Sequence, residues 1–199
     1  MNYELFLALS GFAIVSSITP GPNNLMLMAS GANFGFRRSI PHMLGIALGF
    51  CLMVALVGLG LAQIFEAFPA SYLALKTVSV LYLIYLAYKI ANAGKPEARA
   101  DPTSKPFTFL QAAMFQWVNP KAWSMALTAT TVYAPSQSIS AIGLVALIFG
   151  VINLPSVSLW AVLGLQLQHF LTSPRRLKLF NYSMAALLLA SLYPVLIQG

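Results

Sequence analysis

The chain has 199 residues, 59% of them hydrophobic and only 8% charged, too few charges to cover a water-soluble surface, since ordinary globular domains carry about a quarter. The mean hydropathy is +0.79, and the apolar residues come in runs of about 20 or more, the length that spans a hydrocarbon core of about 30 Å, so the chain reads as an integral membrane protein. Eleven Lys and Arg against four Asp and Glu give a net charge of +7. The cations sit between apolar runs, which speaks for orientation in a bilayer rather than for nucleic acid. Cys51 stands alone, leaving no internal disulfide and no thiol pair for redox or metal chemistry.

Apolar runs at about 5–29, 43–65, 69–91, 108–133, 139–165 and 180–197 predict six transmembrane helices in an all-α protein. The first run has Glu4 and no Lys or Arg ahead of it, unlike a secretory signal, so it is expected to stay in the mature chain. It contains Thr19-Pro20-Gly21-Pro22-Asn23-Asn24, where two prolines flank a glycine and a straight helix cannot continue. The second run opens with Gly45 and Gly49, a four-residue spacing that lets another helix approach closely. His42, beside Pro41 at its start, and His169, in the fifth connection, read as interfacial histidines.

In the third run Lys76 lies about two turns inside by the helical rise of about 1.5 Å per residue. It is expected to snorkel outward, or else the span begins later. Tyr82, Tyr85 and Tyr88 follow on one side, the lower two beside Lys89, as in an interfacial aromatic belt. The linker 92–107 is rich in Lys, Pro and Ala and reads as a solvated loop. The fourth run contains Gln116-Trp117-Val118-Asn119-Pro120-Lys121, in which Pro120 disfavours helical geometry at Asn119. Trp117 and Trp123 bracket that break, either as walls of a cavity or as packing. In the fifth run Asn153 precedes Pro155 by two residues; it either lines a pathway or, with Ser156, helps satisfy the carbonyl that the proline frees.

Lys and Arg near span ends are retained in the cytoplasm. Arg37 and Arg38, then Lys89, Lys95, Arg99 and Lys105, then Arg175, Arg176 and Lys178 occupy the first, third and fifth connections. Connections 66–69 and 134–138 hold no cation, so they face out together with both termini. Pro20 and Pro120 are one hundred residues apart, at matching places in halves 1–91 and 108–199. That predicts one transporter domain, 1–199, built of two inverted three-helix repeats with the first and fourth helices interrupted.

A break in mid-membrane strips backbone groups of partners, at several kcal/mol each in hydrocarbon, and so calls for a cavity. The half-helices restarting at Pro22-Asn23-Asn24 and Pro120-Lys121-Ala122 would offer free N–H groups and positive dipole ends to a carboxylate. Lys121 adds a full charge and is the candidate to receive the carboxylate and exchange a proton. The expected substrate-binding set is Pro20, Gly21, Pro22, Asn23, Asn24, Gln116, Asn119, Pro120, Lys121 and Trp123. No central carboxylate accompanies it, which argues for neutral rather than cationic amino acids.

The Pro20-Gly21-Pro22-Asn23 run, the Gly45 and Gly49 pair and the Asn119-Pro120-Lys121-Ala122 run resemble the lysine-exporter and homoserine/threonine-exporter (LysE/RhtB) family. The resemblance extends over the whole chain, and residues 19–36 are also similar to its cysteine/O-acetylserine exporter subgroup. It implies export of amino acids or small derivatives from the cytoplasm of a bacterium, across the inner membrane, driven by the proton gradient. The expected partners are that substrate and the lipid bilayer, with homodimerisation through glycine-lined spans left open.

A membrane-embedded enzyme needs paired thiols, a metal site or a serine with a base, and one Cys, two His and no central acid do not assemble one. A metal exporter lacks clustered thiolates, imidazoles or carboxylates for the same reason. No cofactor, metal or catalytic residue is therefore expected. A purely structural membrane protein is the remaining alternative; it would lose only abundance when Asn23 or Asn119 becomes Ala, whereas a carrier would lose efflux.

Overall fold

Proline opens helices at Pro22, Pro69, Pro120 and Pro174, and glycine turns the chain at Gly35. The computed structural model describes residues 1–93, 105–134 and 138–193. Helix α1 is Tyr3–Ile18, started by the Asn2 side chain, whose Oδ1 accepts the Leu5 N–H at 2.8 Å. Helix α2 is Pro22–Phe34, and Gly35, at φ 81°, turns the chain directly into α3, Phe36–Leu56. That left-handed geometry suits glycine. Helix α3 runs on through a π-helical turn, Val57–Leu61, and Gly60 at φ 107° ends it. Short α4 (Gln63–Ala67) and long α5 (Pro69–Ala91) follow. Helix α6, Phe109–Phe115, opens on a reciprocal Thr108–Gln111 capping box and tightens into a 3-10 turn at Gln116–Val118. Helices α7 (Pro120–Tyr133), α8 (Ile139–Leu167) and α9 (Pro174–Ala190) complete the described residues, which contain no strand.

Three helical stretches are long and apolar enough to cross a membrane: Phe36–Leu61, Pro69–Ala91 and Ile139–Leu167. Helices α1 and α2 meet at a 52° bend and count as a fourth crossing when taken together. The outward faces carry large apolar side chains such as Leu48, Leu52, Leu81, Leu147 and Val151, while Asn24, Asn33, Gln116, Asn119, Asn153 and Asn181 are buried. Apolar exterior and amide-bearing interior is the arrangement a bilayer rewards.

Close backbone packing holds the bundle. A Cβ on Gly31 would sit 2.1 Å from the Ala161 carbonyl oxygen, and one on Gly164 would sit 2.1 Å from that of Met28, so α2 and α8 touch through their backbones. Gly45 and Gly49 do the same for α3 against α6, with Phe109, Ala112 and Ala113 where side chains would go. Asn33 Nδ2 donates to Asn181 Oδ1 at 3.0 Å, tying α2 to α9.

Several boundaries differ from the sequence expectations. Helix α5 begins at Pro69, so the span does not start after Lys76. Arg37, Arg38, Arg175, Arg176 and Lys178 lie within the first turns of α3 and α9 rather than in loops, because a single glycine joins α2 to α3 and Ser173 caps α9 early, its Oγ accepting the Arg176 N–H. His42 is 1% exposed and stacked on Phe107 with ring centroids 5.2 Å apart, and both ring nitrogens lack a partner among the described residues. Asn153 does not reach the carbonyl freed by Pro155; its Nδ2 donates to Ser17 Oγ at 3.3 Å, joining α8 to α1. Lys95, Arg99, most of the linker and residues 194–197 of the last predicted span lie outside the described residues.

Candidate transport site

Helix α1 ends where Pro20 and Pro22 remove backbone donors, leaving carbonyls at its C-terminus to be satisfied by side chains. Two side chains do this. Asn24 Nδ2 donates to the carbonyls of Ser17 and Thr19, each at 2.8 Å. The Lys121 ammonium donates to the Thr19 carbonyl at 2.7 Å and to Thr19 Oγ1 at 2.9 Å, and approaches the Pro20 carbonyl at 3.5 Å. A cation at a helix C-terminus also meets the negative end of the helix dipole. Gly21 makes room for it, since a Cβ there would lie 2.6 Å from Lys121 Cδ.

The second break is built the same way. Asn119 has extended geometry, φ −94° and ψ 106°, and its Oδ1 accepts the Lys121 N–H at 3.2 Å, capping α7. Just before it Gln116, fully buried, exchanges two hydrogen bonds with Asn23: Asn23 Nδ2 donates to Gln116 Oε1 at 2.8 Å, and Gln116 Nε2 donates to Asn23 Oδ1 at 3.2 Å. Gln116 Nε2 also donates to the Ala112 carbonyl at 2.9 Å. The two breaks therefore meet, joined by an amide pair and by Lys121.

Two voids flank this junction. A small one of about 20 Å³ is lined by Ser16, Ser17, Gly21, Asn23, Asn24, Asn119, Lys121 and Asn153 against Phe50, Ala122, Met125 and Val157; it has room for about one water. A wide one of about 420 Å³ is lined by Pro20, Gly21, Pro22, Pro120, Lys121, Trp123 and Ser124, with Phe65, Tyr72, Leu75, Lys76, Ser79, Leu127 and Ser191. Lys121 and Gly21 belong to both walls. Small molecules of amino-acid size fit the wide cavity and not the narrow one.

All ten residues of the expected set surround this junction, Gln116 through its bond to Asn23 rather than as a cavity wall. Trp123 lines the wide cavity, its ring edge-on to Phe65 at 5.0 Å and its Nε1 donating to the Trp117 carbonyl at 2.8 Å. Trp117 packs on the apolar core beneath it. The Lys121 ammonium is held on the end of α1, where the proline-broken helix leaves carbonyls that attract it. Lys76, Ser16 and Ser17 are additions that sequence reasoning did not place at the site. The only signal for them is polarity inside apolar runs.

A polar junction of interrupted helices beside a cavity is the kind of site from which membrane translocators are built. The chain belongs to the LysE type translocator family, which matches residues 14–193. It is thus a membrane transporter and not an enzyme. The cysteine/O-acetylserine efflux proteins of Escherichia coli K12 and Shigella sonnei are each 30% identical to it over 169 residues, 82% of this chain and 84% of theirs. That of Salmonella choleraesuis is 31% identical over 167 residues with the same coverage. No solved structure matches the chain.

Proposed function

We propose that this translocator exports small neutral amino acids or their derivatives from the cytoplasm, across a bacterial inner membrane, by alternating access around the double break and with proton coupling. The observation that carries the reading is the Lys121 ammonium lying across the end of α1 at the inner wall of a 420 Å³ cavity. Relatives described as cysteine/O-acetylserine efflux proteins make those two compounds the first cargo to test.

A cargo carboxylate entering the cavity competes with the Thr19 carbonyl for the Lys121 ammonium. The Lys121–Thr19 contact pairs a charge with a carbonyl dipole, whereas a carboxylate brings a full opposite charge in a space of low dielectric, so the cargo draws the lysine off α1. Asn24 keeps the Thr19 carbonyl satisfied meanwhile. Binding thereby loosens the clamp at the 52° bend, giving the cargo the differential affinity for two states that any coupled transition requires. Lys121 is also the group at the junction able to pass a proton.

The six-span reading pairs α1–α2, α3 and α5 with α6–α7, α8 and α9 as inverted repeats in one domain, the broken helices corresponding. The cation-rich ends, with Arg37, Arg38, Lys89, Lys105, Arg175, Arg176 and Lys178, face the cytoplasm and both termini face out. The wide cavity, on the Pro69 side of α5, then opens outward.

The reading is tested by loading expressing cells with a labelled amino-acid panel and following efflux with and without an uncoupler. Faster release of cysteine or O-acetyl-L-serine than from empty-vector cells, slowed by the uncoupler, is expected. Release equal to empty-vector cells for every compound overturns the exporter reading.

A further inference from the structure

Lys76 is unexplained by the fold. It sits seven residues into α5, about 10 Å along the helix, half-buried, and makes no hydrogen bond or ion pair among the described residues. An ammonium within the membrane normally pairs or faces a water-filled space, and such positions mark substrate pathways. Lys76 faces a space large enough to admit water, since it lines the 420 Å³ cavity with Lys121. Among the described side chains, no Asp or Glu lines it. Two ammonium groups therefore share one cavity.

We infer that the wide cavity is a second station for the cargo, in which Lys76 binds the carboxylate after it leaves Lys121 and sets specificity against cationic side chains. This rests on the exporter reading for the identity of the cargo. Lys121 is engaged by three oxygens of Thr19 and Pro20, whereas Lys76 has no partner among the described residues, so an anion in the cavity finds Lys76 the freer partner. Returning the Lys121 ammonium to Thr19 requires that the carboxylate go elsewhere, and Lys76 supplies that place. Ser79, one turn from Lys76, and Ser124, one turn from Lys121, bring hydroxyls to the same wall, and Tyr72 and Trp123 give apolar faces for a short neutral side chain. Every zwitterionic cargo brings one ammonium along with its carboxylate, and a lysine or arginine cargo would bring a second cation with no anion of its own into a space of low dielectric, where like charges repel strongly.

The test is equilibrium binding of labelled O-acetyl-L-serine to the purified full-length protein, with L-lysine as competitor, in wild type, Lys76→Gln and Lys76→Arg. Lys76 bonds to nothing in the described structure, so these variants are expected to fold, and size-exclusion profiles check it. Lys76→Gln should weaken binding by about tenfold, the cost of one charge-assisted contact, and let L-lysine compete, while Lys76→Arg restores both values toward wild type. Unchanged affinity and unchanged exclusion of L-lysine in Lys76→Gln overturn the inference. Efflux separates the two readings: wild type that binds with Lys76-dependent affinity but never exports keeps this station and defeats the exporter reading. Wild type that exports while Lys76→Gln binds normally does the reverse, and wild type that neither binds nor exports defeats both.

Discussion

The amide pair between Asn23 and Gln116 is the place to ask whether the two broken helices meet. Asn23→Leu leaves Gln116 Nε2 bonded to the Ala112 carbonyl but strips Gln116 Oε1 of its donor in a fully buried position. One orphaned buried acceptor costs about 1–3 kcal/mol. Gln116→Leu strips both polar atoms of Asn23, yet Asn23 is half-buried and lines a void of about 20 Å³, so a water can replace the lost partner and the cost falls near about 1 kcal/mol. The double variant removes the orphan along with its cause. Interhelical hydrogen bonds in bilayers average about 0.6 kcal/mol and reach about 1.7, so two reciprocal bonds predict a coupling of about 1–2 kcal/mol in the double-mutant cycle. Unfolding of the purified protein in mixed micelles by increasing detergent denaturant reads all four corners. If the two single costs simply add, within about 0.5 kcal/mol, the amides do not meet and the junction described above is wrong.

Other outcomes follow from the same geometry. Lys121→Met should abolish export and destabilise the fold by about 1.5–3 kcal/mol, the range for a hydrogen bond to a charged group, measured by efflux beside thermal unfolding; full export by this variant would remove Lys121 from the site. Gly164→Ala drives a methyl toward the Met28 carbonyl, 2.1 Å away, and since α2 and α8 meet through backbone it should cost about 1–3 kcal/mol or more, seen as reduced folded yield; wild-type yield would contradict the close packing. His42→Leu replaces a buried imidazole whose nitrogens have no partner among the described residues by an apolar side chain of similar size, so the melting temperature should stay level or rise, and a fall of several degrees would show that the imidazole has a partner.

The breaks are legible in the sequence because Pro20, Gly21 and Pro22 crowd into three positions and Pro120 follows Asn119, whereas the lone Pro41 and Pro155 stay inside α3 and α8. The glycine contacts are half legible. Gly45 and Gly49 advertise themselves by spacing, while Gly31 and Gly164 lie in separate helices and declare their pairing only once α2 is laid on α8. Side-chain destinations are harder still. Lys121 reads from sequence only as a charge beside the second break, because sequence cannot show that the carbonyl end of α1, about a hundred residues away, will take its ammonium. Lys76 reads as a snorkelling residue because nothing in its neighbours tells a lipid face from a cavity wall. Likewise His42, next to a proline at a helix start, gives no local hint that Phe107 will cover it.

The central claim is that this junction carries small amino acids across a membrane, and purified protein in sealed lipid vesicles tests it without interference from other carriers. With labelled O-acetyl-L-serine or L-cysteine inside and a pH gradient imposed, vesicles holding the wild-type chain should release the label faster than protein-free vesicles, and those holding Lys121→Met should not. Release from wild-type vesicles no faster than from bare lipid, or full release with Lys121→Met, would contradict the account.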